Sequence, residues 1–346
     1  MFSVLFRKPL VFLLITNLWS LHVFSQSENE GYAESYLQRP IGARAIGMAG
    51  NNTSVVNDPN TIFGNPAGLS SQSENITISS MYSALQFGRF HSTLSLAQNF
   101  AENFGAGIGF NYVSNGQFII RDKTGNNKGI GNNTQYALNL GCAYSIKPLT
   151  FGITGKYLRN TSSAVNESGE GFCFDAGTYF TIKNVISAGI VIQNIGFMQW
   201  NTSSSQKETL PWMLKAGVST EIPLDDKSYT QRSATLGEVE EYSEPSSTFV
   251  LLSLEGQYIR GNNNPNFNLG IDYGITELLS FRSGIAIFGD NYGTTSFFPM
   301  NTYSGGISYK LVSAELPFRL QIDYAAAKEY TSQLPISHHV SFIFQF

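Results

Sequence analysis

Charge is scarce in this sequence. Asp, Glu, Lys and Arg make up 13% of its 346 residues, against roughly 25% in a typical soluble domain, which excludes a water-facing surface of ordinary charge density. Long apolar runs are missing beyond the first segment. Nowhere after Phe24 do about 20 apolar residues follow one another, so membrane-spanning helices are excluded. Cysteine is limited to Cys142 and Cys173, whose separation matches no metal-ligand spacing. Both fall on alternating stretches that point their side chains to opposite faces, and no disulfide is expected. Positive charge has no excess either. With 21 Lys plus Arg against 25 Asp plus Glu the formal net charge is -4, which leaves no basic patch to neutralise phosphates. Nucleic acid is not an expected partner.

What the chain does have is 26 Phe, 17 Tyr and 33 Gly, at a mean hydropathy of only -0.08. Sheets with one apolar and one small, polar face average out in this way. From residue 75 onward the dominant signal is period-two alternation. Tyr136, Leu138, Leu140, Cys142 and Tyr144 alternate with Ala137, Asn139, Gly141 and Ala143; Phe267, Leu269, Ile271 and Tyr273 alternate with Asn268, Gly270 and Asp272. Fourteen such segments can be counted, from 75–84 to 337–346. The expected fold is therefore all-β: a fourteen-stranded antiparallel transmembrane β-barrel, with an even strand number and both barrel termini on one side. A soluble sandwich or propeller is the architectural rival, but it would not keep large apolar residues on one face of nearly every strand.

Residues 1–25 read as a signal peptide: Arg7 and Lys8, an apolar run from Leu10 to Phe24, and Ser25 before Gln26. Export places the barrel in the cell outer membrane, in contact with its lipid, with both termini periplasmic. Connection lengths support that orientation. Tight turns fall at Ala101–Glu102, Lys147–Pro148, Lys183–Asn184 and Thr276–Glu277, whereas the opposite side carries the polar stretches Ser114–Asn133, Asn160–Glu170, Gly196–Leu210 and Gly289–Met300. One acidic insertion, 223–247, breaks the rule. It reads as a flexible periplasmic docking insertion or as a slip in the strand count.

Residues 26–74 differ in character. Pro40–Gly50 is rich in Gly and Ala around a single cation, Arg44, and Asp58-Pro59 and Asn65-Pro66 each pair a capping side chain with the proline favoured at a first helical position. They predict a plug of short helices and turns inside a barrel too wide to fill itself, ahead of the barrel domain 75–346.

Gly42-Ala43-Arg44-Ala45-Ile46-Gly47-Met48-Ala49-Gly50 with Asn65-Pro66-Ala67-Gly68-Leu69, and later Val191-Ile192-Gln193-Asn194-Ile195-Gly196, resemble the PorV/PorQ family. The chain also ends in Phe346 after alternating Val340, Phe342 and Phe344, similar to a barrel-assembly signature. The resemblance covers essentially the whole chain after the signal peptide, and the family sits among the FadL-like barrels of the outer membrane. It implies two functions: binding of protein partners, either the type IX secretion apparatus or its secreted cargo, and, on the FadL side, passage of an apolar small ligand through the lumen. Asn65-Pro66-Ala67 is common to both branches. The acidic insertion departs from the usual pattern.

No catalytic constellation stands out: His91, His338 and His339 lack a sequence-evident nucleophile and carboxylate, no Gly-x-Ser-x-Gly elbow is present, and Gly105, Gly107 and Gly109 alternate as a small lumen face. No enzyme activity, metal or cofactor is expected. Lys156, Asp175, Lys215, Glu255, Asp272, Arg282, Arg319 and Asp323 fall at inward positions. They read either as a paired network that grips the plug through Arg39 or Arg44, or as ligand-binding charges. Arg44, Asn65, Pro66 and Ala67 are the candidate plug or gate residues, with Asn65 as a helix cap or a gate contact. The leading function is non-enzymatic assistance of type IX secretion or cargo attachment; the alternative is a FadL-like channel or carrier for hydrophobic small molecules.

Overall fold

A computed structural model describes residues 34–346 apart from 73–75, 164–166, 183–184, 202–206, 226–227, 233–238, 244–247, 288–300, 313–315 and 329–335. The signal-peptide segment, the Lys183–Asn184 turn and the whole Gly289–Met300 connection therefore lie outside the described residues. The strands are β1 (Ile76–Ala84), β2 (Phe90–Ala101), β3 (Phe104–Arg121), β4 (Asn127–Ile146), β5 (Leu149–Ser162), β6 (Glu167–Ile182), β7 (Ile186–Trp200), β8 (Lys207–Thr209), β9 (Met213–Pro223), β10 (Ser228–Arg232), β11 (Val239–Ser243), β12 (Phe249–Ile259), β13 (Asn266–Gly274), β14 (Leu279–Ile287), β15 (Asn301–Leu311), β16 (Arg319–Lys328) and β17 (Ile336–Gln345).

Every pairing is antiparallel between chain neighbours round the ring, and β1 with β17 and β6 with β7 close it. Setting aside the short β8, which adds to the end of β7, and the separate β10–β11 hairpin, fourteen strands form the barrel. The acidic insertion leaves the strand count intact, because β9 and β12 pair directly from Pro223 opposite Phe249. It also contains the β10–β11 hairpin, where the sequence suggested flexible chain.

The period-two signal becomes a two-sided wall. In β13 lumen-facing residues are buried and outward ones exposed in strict alternation. Large apolar side chains such as Leu140, Ile153, Ile190 and Leu254 are exposed on the outer surface, as lipid contact requires. Aromatic rings band that surface at two levels. At one, Tyr82 stacks on Phe90, Phe90 meets Tyr112 and Trp212 meets Tyr258; at the other, Phe100 meets Phe104 and Phe318 meets Phe344 and Phe346. Such paired girdles mark the two interfaces of a bilayer.

The polar stretches expected as loops are largely strand. Ser114–Asn133 continues as a β3–β4 ribbon, Asn160–Glu170 holds the ends of β5 and β6, and Gly196–Leu210 holds the end of β7 and β8. Alternation fades there because water, not lipid, faces the outer side, whereas backbone pairing needs no apolar side chain. The barrel therefore has a short-turn rim and a rim where β3 to β7 are prolonged.

Residues 34–72 run inside the barrel. A 3-10 turn at Ser35–Gln38 packs Tyr36 against Val113, Leu158, Met198 and Leu210 near the prolonged rim. The single α-helix among the described residues, α1 (Ala43–Gly47), lies on β14 to β17. Two more 3-10 turns, Pro59–Phe63 and Pro66–Ser70, begin at the two Asx-Pro pairs, each capped as expected: Asp58 Oδ1 accepts from the Asn60 N–H at 2.8 Å and Asn65 Oδ1 from the Ala67 N–H at 3.2 Å.

Candidate functional site

Asn65 does more than cap. Its side-chain amide also donates to the Thr53 carbonyl at 2.8 Å within the plug and to the Thr178 carbonyl of β6 at 3.0 Å, and the residue is fully buried. Pro66 and Ala67 lie against the β5 backbone. A Cβ on Gly152 would collide with the Pro66 carbonyl and the Ala67 nitrogen, and one on Gly177 with the Asn65 side chain. The small lumen face is thus a seat for the plug backbone, which only glycine lets come so close.

The inward charges form three groups. Lys156 Nζ lies 2.7 Å from Asp175 Oδ2, and Asn194 joins them, accepting from Lys156 at 2.8 Å and donating its backbone N–H to Asp175 at 2.8 Å. A β-bulge sets Gln193 and Asn194 together opposite Asp175, so that both turn inward. Asn194 takes a left-handed φ of 63° there. Gln193 then donates to the plug carbonyls of Phe63 and Gly64 at 3.0 and 2.9 Å. Period-two reading misses this pair, since it sends neighbours to opposite faces.

In the second group Lys215 lies 3.8 Å from Glu255, whose other oxygen accepts the plug N–H groups of Asn52 and Thr53 at 3.1 and 2.9 Å. The third is a chain: Arg44 Nε lies 3.3 Å from Asp272, Arg282 lies 3.2 Å from the same carboxylate, and Arg282 reaches Asp323 at 2.9 Å. Arg44 also donates to the Asn57 carbonyl at 3.2 Å. Arg319 differs from these buried side chains: it sits exposed at the start of β16, where the lumen face has opened onto the rim. A short helix and two turns are thereby fastened to walls all round the lumen, at a polar interface where several buried atoms, including Asp272 Oδ1 and Thr53 Oγ1, have no hydrogen-bond partner among the described residues.

Between the plug and the prolonged rim lies a chamber of about 430 Å³. Its apolar share includes Ile46, Leu85, Ile259 and Ala286, and its polar share includes His91, His339, Asn266 and Asn268. His339 is held by Ser83 at 2.7 Å and Ser337 at 2.9 Å, and His91 by Asn111 at 2.6 Å. Arg39, Lys215 and Lys328 supply cationic groups, and among the described residues the lining contains no carboxylate. At the chamber's edge burial pushes the Glu34 carboxyl up to about 7, although Asn160 donates to it at 2.6 Å. In the plug, burial likewise raises Asp58, against the pull of Arg44.

A plugged fourteen-stranded barrel with these proportions has solved counterparts. The monoaromatic hydrocarbon channel CymD superposes with a TM-score of 0.59 at 14% identity over 89% of this chain and 98% of that one. The toluene transporter TbuX of Ralstonia pickettii gives 0.55 at 12% identity, over 89% and 98%. A FadL homologue of Pseudomonas aeruginosa gives 0.51 at 11% identity, over 88% and 97%. The fold is that of FadL-like outer-membrane barrels. No family model and no curated protein matches the sequence.

Proposed function

We propose that the protein is a channel or carrier of the bacterial outer membrane for small apolar or amphipathic molecules, with its prolonged rim outward and the chamber above the plug as their first binding site. One observation carries this: a plug fastened to the wall on every side leaves, on the prolonged-rim side, a chamber whose 430 Å³ falls within the size range of small-ligand sites. Two of the solved barrels that share the fold are a hydrocarbon channel and a toluene transporter, which supports the same reading. The plug then acts as the gate. Arg44, Asn65, Pro66 and Ala67 fasten it, and the lumen charges hold it to the wall rather than performing chemistry. Assistance to type IX secretion rests on the sequence resemblance alone, and nothing in the chamber or among the solved structures favours it.

Filling the chamber tests the proposal. Ala286 lines it from β14, and Ala286→Trp should abolish uptake of apolar test solutes, such as toluene or a medium-chain alcohol, into proteoliposomes. The barrel should still run as a compact, heat-modifiable band in SDS gels. Equal uptake by the variant and the parent, or no uptake by the parent above empty liposomes, would overturn it.

A further inference from the structure

The β3–β4 hairpin does not end with the barrel wall. β2 leaves β3 at Phe90 opposite Ser114, and β5 leaves β4 at Ser162 opposite Asn133, yet β3 and β4 stay paired from Gln117 opposite Asn132 to Arg121 opposite Asn127. Beyond Asn132, whose backbone N–H and carbonyl are still held by Ser163, the described residues contain a two-stranded ribbon with no third strand on either edge. Isolated ribbons of this kind are at best marginally stable in water, and open edges invite a further strand.

This ribbon is also apolar. Ile119 and Ile130 face each other across it at 53% and 68% exposure, and on its other face Phe118, 40% exposed, packs with Ile120 over Gly131. Phe87, 77% exposed, stands at its foot beside Gly116. Lipid does not cover these side chains. Ile119 lies seven residues past the girdle residue Tyr112, roughly 20 Å along the strand and about 14 Å along the membrane normal at a strand tilt of about 45°, whereas the headgroup layer adds only about 5–8 Å beyond the hydrocarbon.

Charge selects among the remaining occupants. The ribbon and its tip carry Arg121, Lys123 and Lys128 against Asp122 alone. Lys128 lies 3.5 Å from Asp122, which leaves Arg121 and Lys123 uncompensated. Two copies of the ribbon would repel each other. We propose that this ribbon is a docking edge for another protein, which adds an extended segment of alternating acidic and apolar residues as a third strand. Backbone pairing supplies the affinity, the isoleucines supply the apolar contact, and the basic tip fixes the sign of the partner's charge.

The test uses the full-length protein in detergent micelles and a fluorescent eight-residue peptide of alternating Glu and Val, followed by anisotropy. A Lys-for-Glu twin and a version N-methylated on alternate backbone amides are the comparison peptides. Saturable binding of the acidic peptide is expected, at least tenfold weaker for either comparison peptide. The Ile119→Asp/Ile130→Asp protein should weaken it at least tenfold, and Lys123→Glu, a tip change that leaves every strand pair intact, at least threefold. Both variants should keep their heat-modifiable band. No saturable binding, equal binding of all three peptides, indifference to Lys123→Glu, or protection of the ribbon by anionic lipid vesicles in place of the peptide would each overturn the proposal.

Discussion

Removing the Asn65 side chain separates a simple helix cap from a fastening between plug and wall. A cap alone is worth about 1 kcal/mol. Asn65 instead makes three hydrogen bonds at zero exposure, to the Ala67 N–H, the Thr53 carbonyl and the Thr178 carbonyl. At about 1 kcal/mol net for each, Asn65→Ala should cost the seated plug about 3 kcal/mol, roughly a hundredfold in its opening equilibrium. Asn65→Ser keeps a capping oxygen but loses both donations, so it should lie between the two at about 2 kcal/mol. Hydrogen exchange of the peptides covering 59–72, in the full-length protein in detergent, measures that equilibrium directly. The barrel strands serve as the internal reference. If Asn65→Ser exchanges like the parent, the wall bond contributes nothing and the reasoning fails.

Arg44→Ala should increase current leak through the protein in planar bilayers with little change in barrel melting, because Asp272 keeps Arg282 at 3.2 Å. Arg282→Ala should instead destabilise the barrel itself by about 3–5 kcal/mol in urea unfolding, since it strips Asp272 and Asp323 of a shared buried partner. Gly177→Val should leave a heat-modifiable barrel whose plug is cut by added protease, because the new side chain needs the space of Asn65. For Glu34 the folded carboxyl titrates near 7 against an ordinary value of 4.5, so the folded state binds the proton more tightly. Its contribution is complete below about 4.5 and is lost as pH rises through about 7, a swing of about 3 kcal/mol. Exchange protection of the Ser35–Gln38 turn should fall across that window in the parent and stay flat in Glu34→Gln.

The fourteen barrel strands were legible because lipid on one side and a small, polar lumen on the other write period two into nearly every segment, as in β13. The two Asx-Pro turns were legible because capping is local. Helix α1 was not: Ala43–Gly47 is too short to show a helical period, and its Gly42 and Ala43 are set by contacts with Asn60 and Ser341 far along the chain. The prolonged strands were misread as loops for a related reason, since pairing persists where the lipid that enforces alternation has gone.

Sequence by itself determined the barrel, its strand number and the inward position of most of the charges, all consequences of which side of each strand meets oil. Only the tertiary structure decided who grips whom. Arg44 meets Asp272 across 228 residues, Gln193 and Asn194 share one face through a bulge, and Gly177 is small for the sake of Asn65. These depend on how the plug threads the lumen, and alternation along a strand carries no record of what will be pressed against it.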